Sequence, residues 1–372
     1  MKILAIETSC DETSASVLEE KKGKIRILSN IVSSQIKIHA KFGGVVPNLA
    51  SREHVKNIVP VLESALRESD SRLSKIDLIA VTKGPGLIPA LLIGVNAAKA
   101  LAYITKKPLL GIHHIEGHIY ANFIENEIGV DSKSAKSYKL KAKSLIKFPL
   151  LCLVVSGGHT QLILMKDHLR YKIIGETQDD SVGEAFDKVA RILGLGYPGG
   201  PKVSEEAEKF ERNIQNTQYQ MLNTKFPRPM IKSPDFNFSF SGLKTAVLYE
   251  TKKRPELLKN KRYISEMCHE FQEAVVEVLT EKTIRAAKKY NARTVLMAGG
   301  VSANKELRKR LGQAVEENLN GVSYNIPDFE YCGDNAAMIA TAAWFRYKNM
   351  KNKKILEDGW KNLEAVSSLK IK

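Results

Sequence analysis

Two stretches far apart in the chain follow the same plan, and that repetition limits the fold more than any other feature. Residues 3–6 are apolar at every position, run into Glu7-Thr8-Ser9-Cys10-Asp11-Glu12-Thr13-Ser14, and resume as an apolar strand at 15–18. Residues 150–155 do the same, turning at Ser156-Gly157-Gly158-His159 and returning at 160–165. A strand apolar on both faces belongs in the middle of a covered sheet. A third strand fits at 25–31 in the first copy and at 171–174 in the second, and helices follow each. The pattern predicts a duplicated α/β unit with a cleft between the copies. A chain of 372 residues, 43% hydrophobic, is long enough to bury two ordinary cores.

Charge narrows the partners. The formal net charge of +16 favours a polyanion, with RNA, DNA and an anionic membrane surface all admissible, although lysine-rich composition also arises from the host's average usage. Cys10, Cys152, Cys268 and Cys332 are scattered and form no C-x-x-C pair, which speaks against a disulfide framework or zinc ribbon and suits a reducing, cytoplasmic setting. The opening residues lack the features of a signal or transit peptide. No uninterrupted apolar run reaches the length of a membrane span, so no membrane partner is expected.

The residues that suggest chemistry sit at strand ends. Gly111-Ile112-His113-His114-Ile115-Glu116-Gly117-His118 follows a short strand at 109–112, and His114 and His118, four apart on a helix, share one face and can grip one cation. Near the C-terminus Asp334, in Tyr331-Cys332-Gly333-Asp334-Asn335, either caps the helix that follows or supplies a third ligand. Glycine turns close three more strands, at Gly84-Pro85-Gly86, Gly157-Gly158 and Gly299-Gly300, and can present backbone N–H groups to phosphate. Paired glycines at Gly199-Gly200 permit close approach of a ligand. Asn304 falls at the start of a helix, where it can read a base or ribose. Capping accounts for Ser9, Asp11 and Ser14 as well as phosphate binding does. A helix capped by Ser51 is expected to bury Val55, Ile58, Leu62 and Leu66. Helices are also expected at 90–102, 182–193 and 264–287. The alternation Phe236-Asn237-Phe238-Ser239-Phe240-Ser241 reads as a half-buried strand or as a segment facing RNA with Lys244. Residues 126–147, rich in Lys and Ser, read as a surface insertion or hinge, and Lys348, Lys351, Lys353 and Lys354 form a terminal cluster.

Taken together these motifs resemble the tRNA N6-adenosine threonylcarbamoyltransferases, called TsaD in bacteria and formerly labelled O-sialoglycoprotein endopeptidases. The likeness rests on Glu7-Thr8-Ser9-Cys10-Asp11-Glu12-Thr13, Gly43-Gly44-Val45-Val46-Pro47, His113-His114-Ile115-Glu116-Gly117-His118, Val155-Ser156-Gly157-Gly158-His159-Thr160, Phe186-Asp187-Lys188, Tyr197-Pro198-Gly199-Gly200-Pro201, Phe238-Ser239-Phe240-Ser241-Gly242-Leu243-Lys244-Thr245, Gly299-Gly300-Val301-Ser302-Ala303-Asn304 and Gly333-Asp334-Asn335, in the family's order. It implies a duplicated, two-lobed actin/Hsp70-like (ASKHA) α/β fold. One lobe would be 1–112 plus 335–372 and the other 113–334. It implies a divalent metal, Fe2+ or Zn2+, on His114, His118 and Asp334, and an adenylate along Val155, Ser156, Gly157, Gly158, His159, Asp187, Gly200 and Asn304. The implied activity moves a threonylcarbamoyl group from threonylcarbamoyl-AMP to N6 of the adenosine 3′ of the anticodon (t6A at position 37), with TsaB and TsaE as partners in the bacterial branch. Asn48, Pro89 and Ser204 depart from the family's usual Glu, Gly and Asp.

The acceptor amine is a weak nucleophile, so a carboxylate such as Asp11 or Glu12 is expected to take its proton. Two rivals remain: a metallopeptidase, and a nucleotide-binding scaffold of the same fold. A zincin places Glu directly after its first His, whereas Ile115 fills that position here and Glu116 lies one residue on. A scaffold gives no reason for His114, His118 and Asp334 to converge.

Overall fold

A computed structural model describes residues 1–124, 146–216 and 225–371. In chain order, β1 (Lys2–Glu7), β2 (Glu12–Lys21) and β3 (Lys24–Ser34) lead through the short α1 (Ile36–His39) to α2 (Pro47–Glu68), β4 (Leu78–Gly84), α3 (Ile88–Thr105), β5 (Leu109–His113) and α4 (His114–Tyr120). Next come β6 (Leu150–Val155), β7 (Thr160–Asp167), β8 (Arg170–Glu176), α5 (Val182–Ile192), α6 (Gly199–Asn216), α7 (Ser241–Lys253) and α8 (Lys261–Lys289). The chain ends with β9 (Thr294–Ala298), α9 (Lys305–Asn318), β10 (Ser323–Asn325), α10 (Ala336–Asn349) and α11 (Gly359–Asn362).

The strands form two sheets of one topology. The first runs β3-β2-β1-β4-β5 and the second β8-β7-β6-β9-β10, each an antiparallel three-stranded start extended by two parallel strands. The expected duplication is therefore present strand for strand, including β10, whose Ser-Tyr-Asn carries no apolar run to announce it. Both lead strands occupy the centre of their sheet, which is why β6 is buried at every position and β1 at all but Lys2.

Two compact units follow from this plan: residues 1–35, 45–146 and 327–372 make the first, residues 36–44 and 147–326 the second. The division differs from one drawn after Ile112 and before Asn335, because α4 belongs with the first unit. Tyr120 stacks on Phe345 of α10 at 4.6 Å, and a Cβ on Gly117 would come within 2.7 Å of Ile339, so α4 lies close against α10. In the first unit Leu4 and Ile6 of β1 pack with Ile58 of α2 and Val95 of α3. In the second, Leu151, Leu153 and Val155 of β6 pack with Val189 of α5 and Phe271 of α8.

Several local expectations are corrected. α2 starts at Pro47, whose fixed φ suits the first turn, so Ser51 is internal and its Oγ donates to the Asn48 carbonyl. The buried stripe of α2 is Ala50, His54, Ile58, Val61 and Ala65, while Val55 is 58% exposed. Phe236, Phe238 and Phe240 are all buried, so the alternation with Asn and Ser marks a packed irregular segment, touching β-structure through one bridge to Thr177, before α7 begins at Ser241. Among the described residues α3 is long and apolar enough to cross a membrane by length and composition, a property the uninterrupted-run criterion overlooked; it packs on α2 and β4. The Lys-rich stretch at 126–147 lies, but for its last two residues, outside the described residues.

Candidate metal centre and nucleotide cradle

β5 delivers the chain into α4 at His114, and a helix starting there turns His114 and His118 to one side. His113 is the cap: its Nδ1 accepts from the Ile115 N–H and its Nε2 lies 3.0 Å from the Leu369 carbonyl, so it takes no part in the cluster. Asp334 arrives from the turn before α10. Asn335, not Asp334, caps that helix by accepting from the Met338 N–H, which leaves the aspartate to face the histidines. Asp334 Oδ1 lies 3.1 Å from His118 Nε2 and 3.5 Å from His114 Nε2, and the imidazole planes stand at 82°. One donor atom from each residue lies within 4.8 Å of the others. Ligands about 2 Å from a tetrahedral ion are about 3.3 Å apart, a spacing the two Asp334–imidazole distances of 3.1 and 3.5 Å match.

Further support comes from hydrogen bonding. His118 is fully buried, yet neither ring nitrogen makes a well-formed hydrogen bond, the approach of Nε2 to Asp334 notwithstanding. A buried imidazole without a partner is costly unless something else uses its lone pair. His114 is oriented from behind: Nδ1 lies 3.2 Å from Glu7 Oε2 and 3.1 Å from Ser9 Oγ. Glu7, at the end of β1 and fully buried, is held by the Thr82 hydroxyl and the Ser9 N–H, each donating at 2.5 Å. A carboxylate there keeps a proton on Nδ1 and aims Nε2 forward. Burial alone would lower the pKa of His114, but the charges of Asp334 and Glu7 outweigh it and raise it to about 9. His118 moves the other way, lowered by burial and by the charge of His114 despite Asp334.

The β1–β2 turn brings Asp11 and Glu12 to the same unit. Glu12 is held well above the usual carboxylate range by burial, then by the charges of Asp11 and Asp334. Cys10 is pushed up for similar reasons, so its thiol stays protonated. His54 of α2 fixes this turn from beneath, with Nδ1 2.7 Å from Thr13 Oγ1 and Nε2 2.9 Å from the Cys10 carbonyl.

Glu116 settles the peptidase alternative. It is fully buried and forms a two-pronged ion pair with Arg346 of α10, at 2.6 and 2.5 Å, on the side of α4 away from the cluster. It is thus engaged as a structural anchor.

The second unit holds the other predicted residues. Val155 ends β6; Ser156 closes the turn through its N–H to the His159 carbonyl and its Oγ to the His159 N–H. Gly157 and Gly158 are exposed, and a Cβ on either would meet nothing within 4 Å. Asp187 accepts from the Gly199 N–H at 2.7 Å and so holds the start of α6, where Gly200 is likewise open. Gly299, at φ +91°, has its ideal Cβ only 2.4 Å from the Val155 carbonyl, which explains a glycine by close packing of two strand ends. Asn304 does not project freely: its Oδ1 caps α9 through the Leu307 N–H, and its Nδ2 donates to Ser204 Oγ and Gln272 Oε1, both at 2.9 Å. The structure thus gathers His114, His118 and Asp334 in one unit, which also holds the Gly84-Pro85-Gly86 turn, and places the Gly157-Gly158 and Gly299-Gly300 turns, Asp187 and Asn304 in the other.

Comparison with known proteins decides the family. The profile described as TsaD, tRNA N6-adenosine threonylcarbamoyltransferase, matches residues 26–341. The chain belongs to the tRNA N6-adenosine threonylcarbamoyltransferase family. The family's protein from Syntrophomonas wolfei is 48% identical over 347 residues, covering 93% of each chain, and that from Thermosipho africanus is 47% identical over 371 residues, covering 100% of both. A solved structure of HypF from T. kodakarensis superposes with a TM-score of 0.55 at 13% identity over 96% of this chain and 49% of that one, a likeness of fold. Against the family's motifs, sequence reasoning missed the roles of Glu7, His54 and Arg346. Glu7 alone left a signal, a carboxylate ending a strand with no other polar residue beyond Lys2.

Proposed function

We propose that this chain transfers the threonylcarbamoyl group of threonylcarbamoyl-AMP to N6 of the adenosine 3′ of the anticodon in tRNAs reading codons that begin with A. The observation that carries this is the convergence of His114, His118 and Asp334 beside the Asp11–Glu12 turn in a chain of this family.

A divalent ion, Fe2+ or Zn2+, held by His114, His118 and Asp334 would act as a Lewis acid on the transferred carbonyl. Glu7 and Ser9 orient His114 for that task, and Arg346, through Glu116, pins the helix that carries both histidines. In the reaction, the N6 amine attacks the carbamoyl carbon. An N–C bond forms, the bond from that carbon to the phosphate oxygen breaks, and AMP departs. The amine proton passes to the Asp11–Glu12 pair, where burial and the neighbouring charges raise the proton affinity of Glu12. The open N–H groups of Gly157 and Gly158, with Gly200 at the start of α6, suit the phosphate of the adenylate, and Ser156, His159 and Asp187 frame that turn. TsaB and TsaE are the partners this assignment carries, and the cytoplasm is the setting.

The test supplies purified chain, with TsaB and TsaE, with unmodified tRNA and threonylcarbamoyl-AMP. Nucleoside mass spectrometry should show threonylcarbamoyladenosine with wild type and none with Asp334→Ala. Free threonine or cleaved peptide in place of modified tRNA would refute the assignment.

A further inference from the structure

The C-terminal lysine cluster has no role in the chemistry above, and its surroundings suggest one. Lys351, Lys353 and Lys354 follow α10, and a cavity of about 420 Å³ opens beside them, its lining including Lys106, Tyr347, Lys353, Lys354, Glu357 and Trp360. Its cations sit among aromatic rings: Lys106 Nζ is 4.4 Å from the Tyr103 centroid and Lys353 Nζ 4.3 Å from that of Tyr347. Trp360 leans on Tyr103 at 4.8 Å. Among the described residues Lys106, Lys351, Lys353 and Lys354 are all exposed, and none has a carboxylate partner; Glu357 is the one acid in the lining. Unneutralised lysines interleaved with ring faces are the chemistry that takes single-stranded or flipped nucleotides, phosphate on the ammonium and base against the ring.

We infer that this cavity and its lysines form a second RNA contact, binding phosphates and one unpaired base of the same RNA whose adenosine is modified. It rests on the proposed function for the identity of that RNA. α10 supplies the geometry. Its first residue follows Asp334-Asn335 at the metal cluster, and its 14 residues end at Asn349, beside the lysines. At 1.5 Å per residue the two sites lie about 20 Å apart along one rigid helix. A folded RNA can span that distance, whereas a free nucleotide cannot touch both. Exposed Ile104 and Ile355 nearby make an anionic membrane the competing occupant.

The experiment measures binding of unmodified tRNA to the full chain across a salt series, for wild type, for Lys353→Gln/Lys354→Gln and, separately, for Tyr347→Leu. Loss of two phosphate contacts should flatten the slope of log K against log salt by about 1.4–1.8 and weaken binding about tenfold. Tyr347→Leu should weaken binding about tenfold with the slope unchanged. With the complete transfer system the lysine variant should raise KM for tRNA and keep kcat, a split that misfolding would not give. If wild type binds no tRNA, the proposed function itself fails. If wild type binds and both variants match it in slope and affinity, the second contact is wrong. Loss of binding to phosphatidylglycerol vesicles with tRNA binding intact would assign the surface to membrane and overturn the inference.

Discussion

Uptake of a divalent ion by His114, His118 and Asp334 should be coupled to the release of one proton, and the structure sets the size of the effect. Without metal, His114 is raised to about 9 by Asp334 and Glu7 against the opposing effect of burial, so at pH 7 it carries a proton that a cation must displace. Two pH units correspond to about 2.7 kcal/mol. His118 is lowered and already neutral, so it adds no second proton. Zinc affinity, measured by competition with a chromophoric chelator of known pH dependence, should therefore rise about fiftyfold between pH 7 and pH 9, where the imidazole is half deprotonated. Calorimetry in two buffers of different ionisation enthalpy should report close to one proton released at pH 7. Glu7→Gln removes the charge 3.2 Å from His114 Nδ1 and should make the pH dependence shallower. The same shift has a stability counterpart with a definite sign. A raised histidine stabilises the metal-free fold fully below pH 6.5, and that contribution, roughly 3 kcal/mol, is lost as pH rises through 9. An affinity that stays flat from pH 7 to 9, with no proton released, would refute this account of the cluster.

Three further predictions concern the residues around the sites. Arg346→Met strips Glu116 of its guanidinium partner inside the α4–α10 contact and should cost about 3–5 kcal/mol in denaturant unfolding, with Glu116→Gln/Arg346→Met recovering most of it; a loss below about 1 kcal/mol would contradict the anchoring role. Asn304→Ala should cost about 1–2 kcal/mol through the lost α9 cap, yet leave thermal protection by AMP intact, since that amide is spent on Leu307, Ser204 and Gln272; loss of protection without loss of stability would mean it touches the ligand directly. Gly299→Ala forces a Cβ against the Val155 carbonyl at positive φ and should lower stability by about 1–3 kcal/mol and weaken AMP protection together; an unperturbed melt would show that the strand ends can part.

The sequence disclosed those features whose cause is local. An i, i+4 histidine pair after a short strand, and a strand apolar at every position, each follow from periodicity, and both are found where expected. The misplacements arose where tertiary packing overrides local pattern. Pro47 starts α2 four residues before the serine that looked like its cap. His54 is polar by type but lies on the buried stripe because both ring nitrogens are satisfied by the β1–β2 turn. β10 is too short and too polar to be seen without its neighbour β9. Asp334 was legible only as one of two alternatives, since the choice turned on Asn335 taking the helix cap. Arg346, 230 positions from Glu116, had no local signature at all.

The repeated topology lets one strand plan present opposite chemistries at equivalent corners. Where the lead strand of the first sheet ends, the chain offers Glu7, Ser9, Asp11 and Glu12; at the equivalent point of the second it offers Ser156 and two bare glycines. Acidic side chains at that corner favour a cation, while naked peptide N–H groups favour an anion. A corner of four or five residues is thus enough to give one strand plan two opposite preferences, with no strand added, removed or reordered.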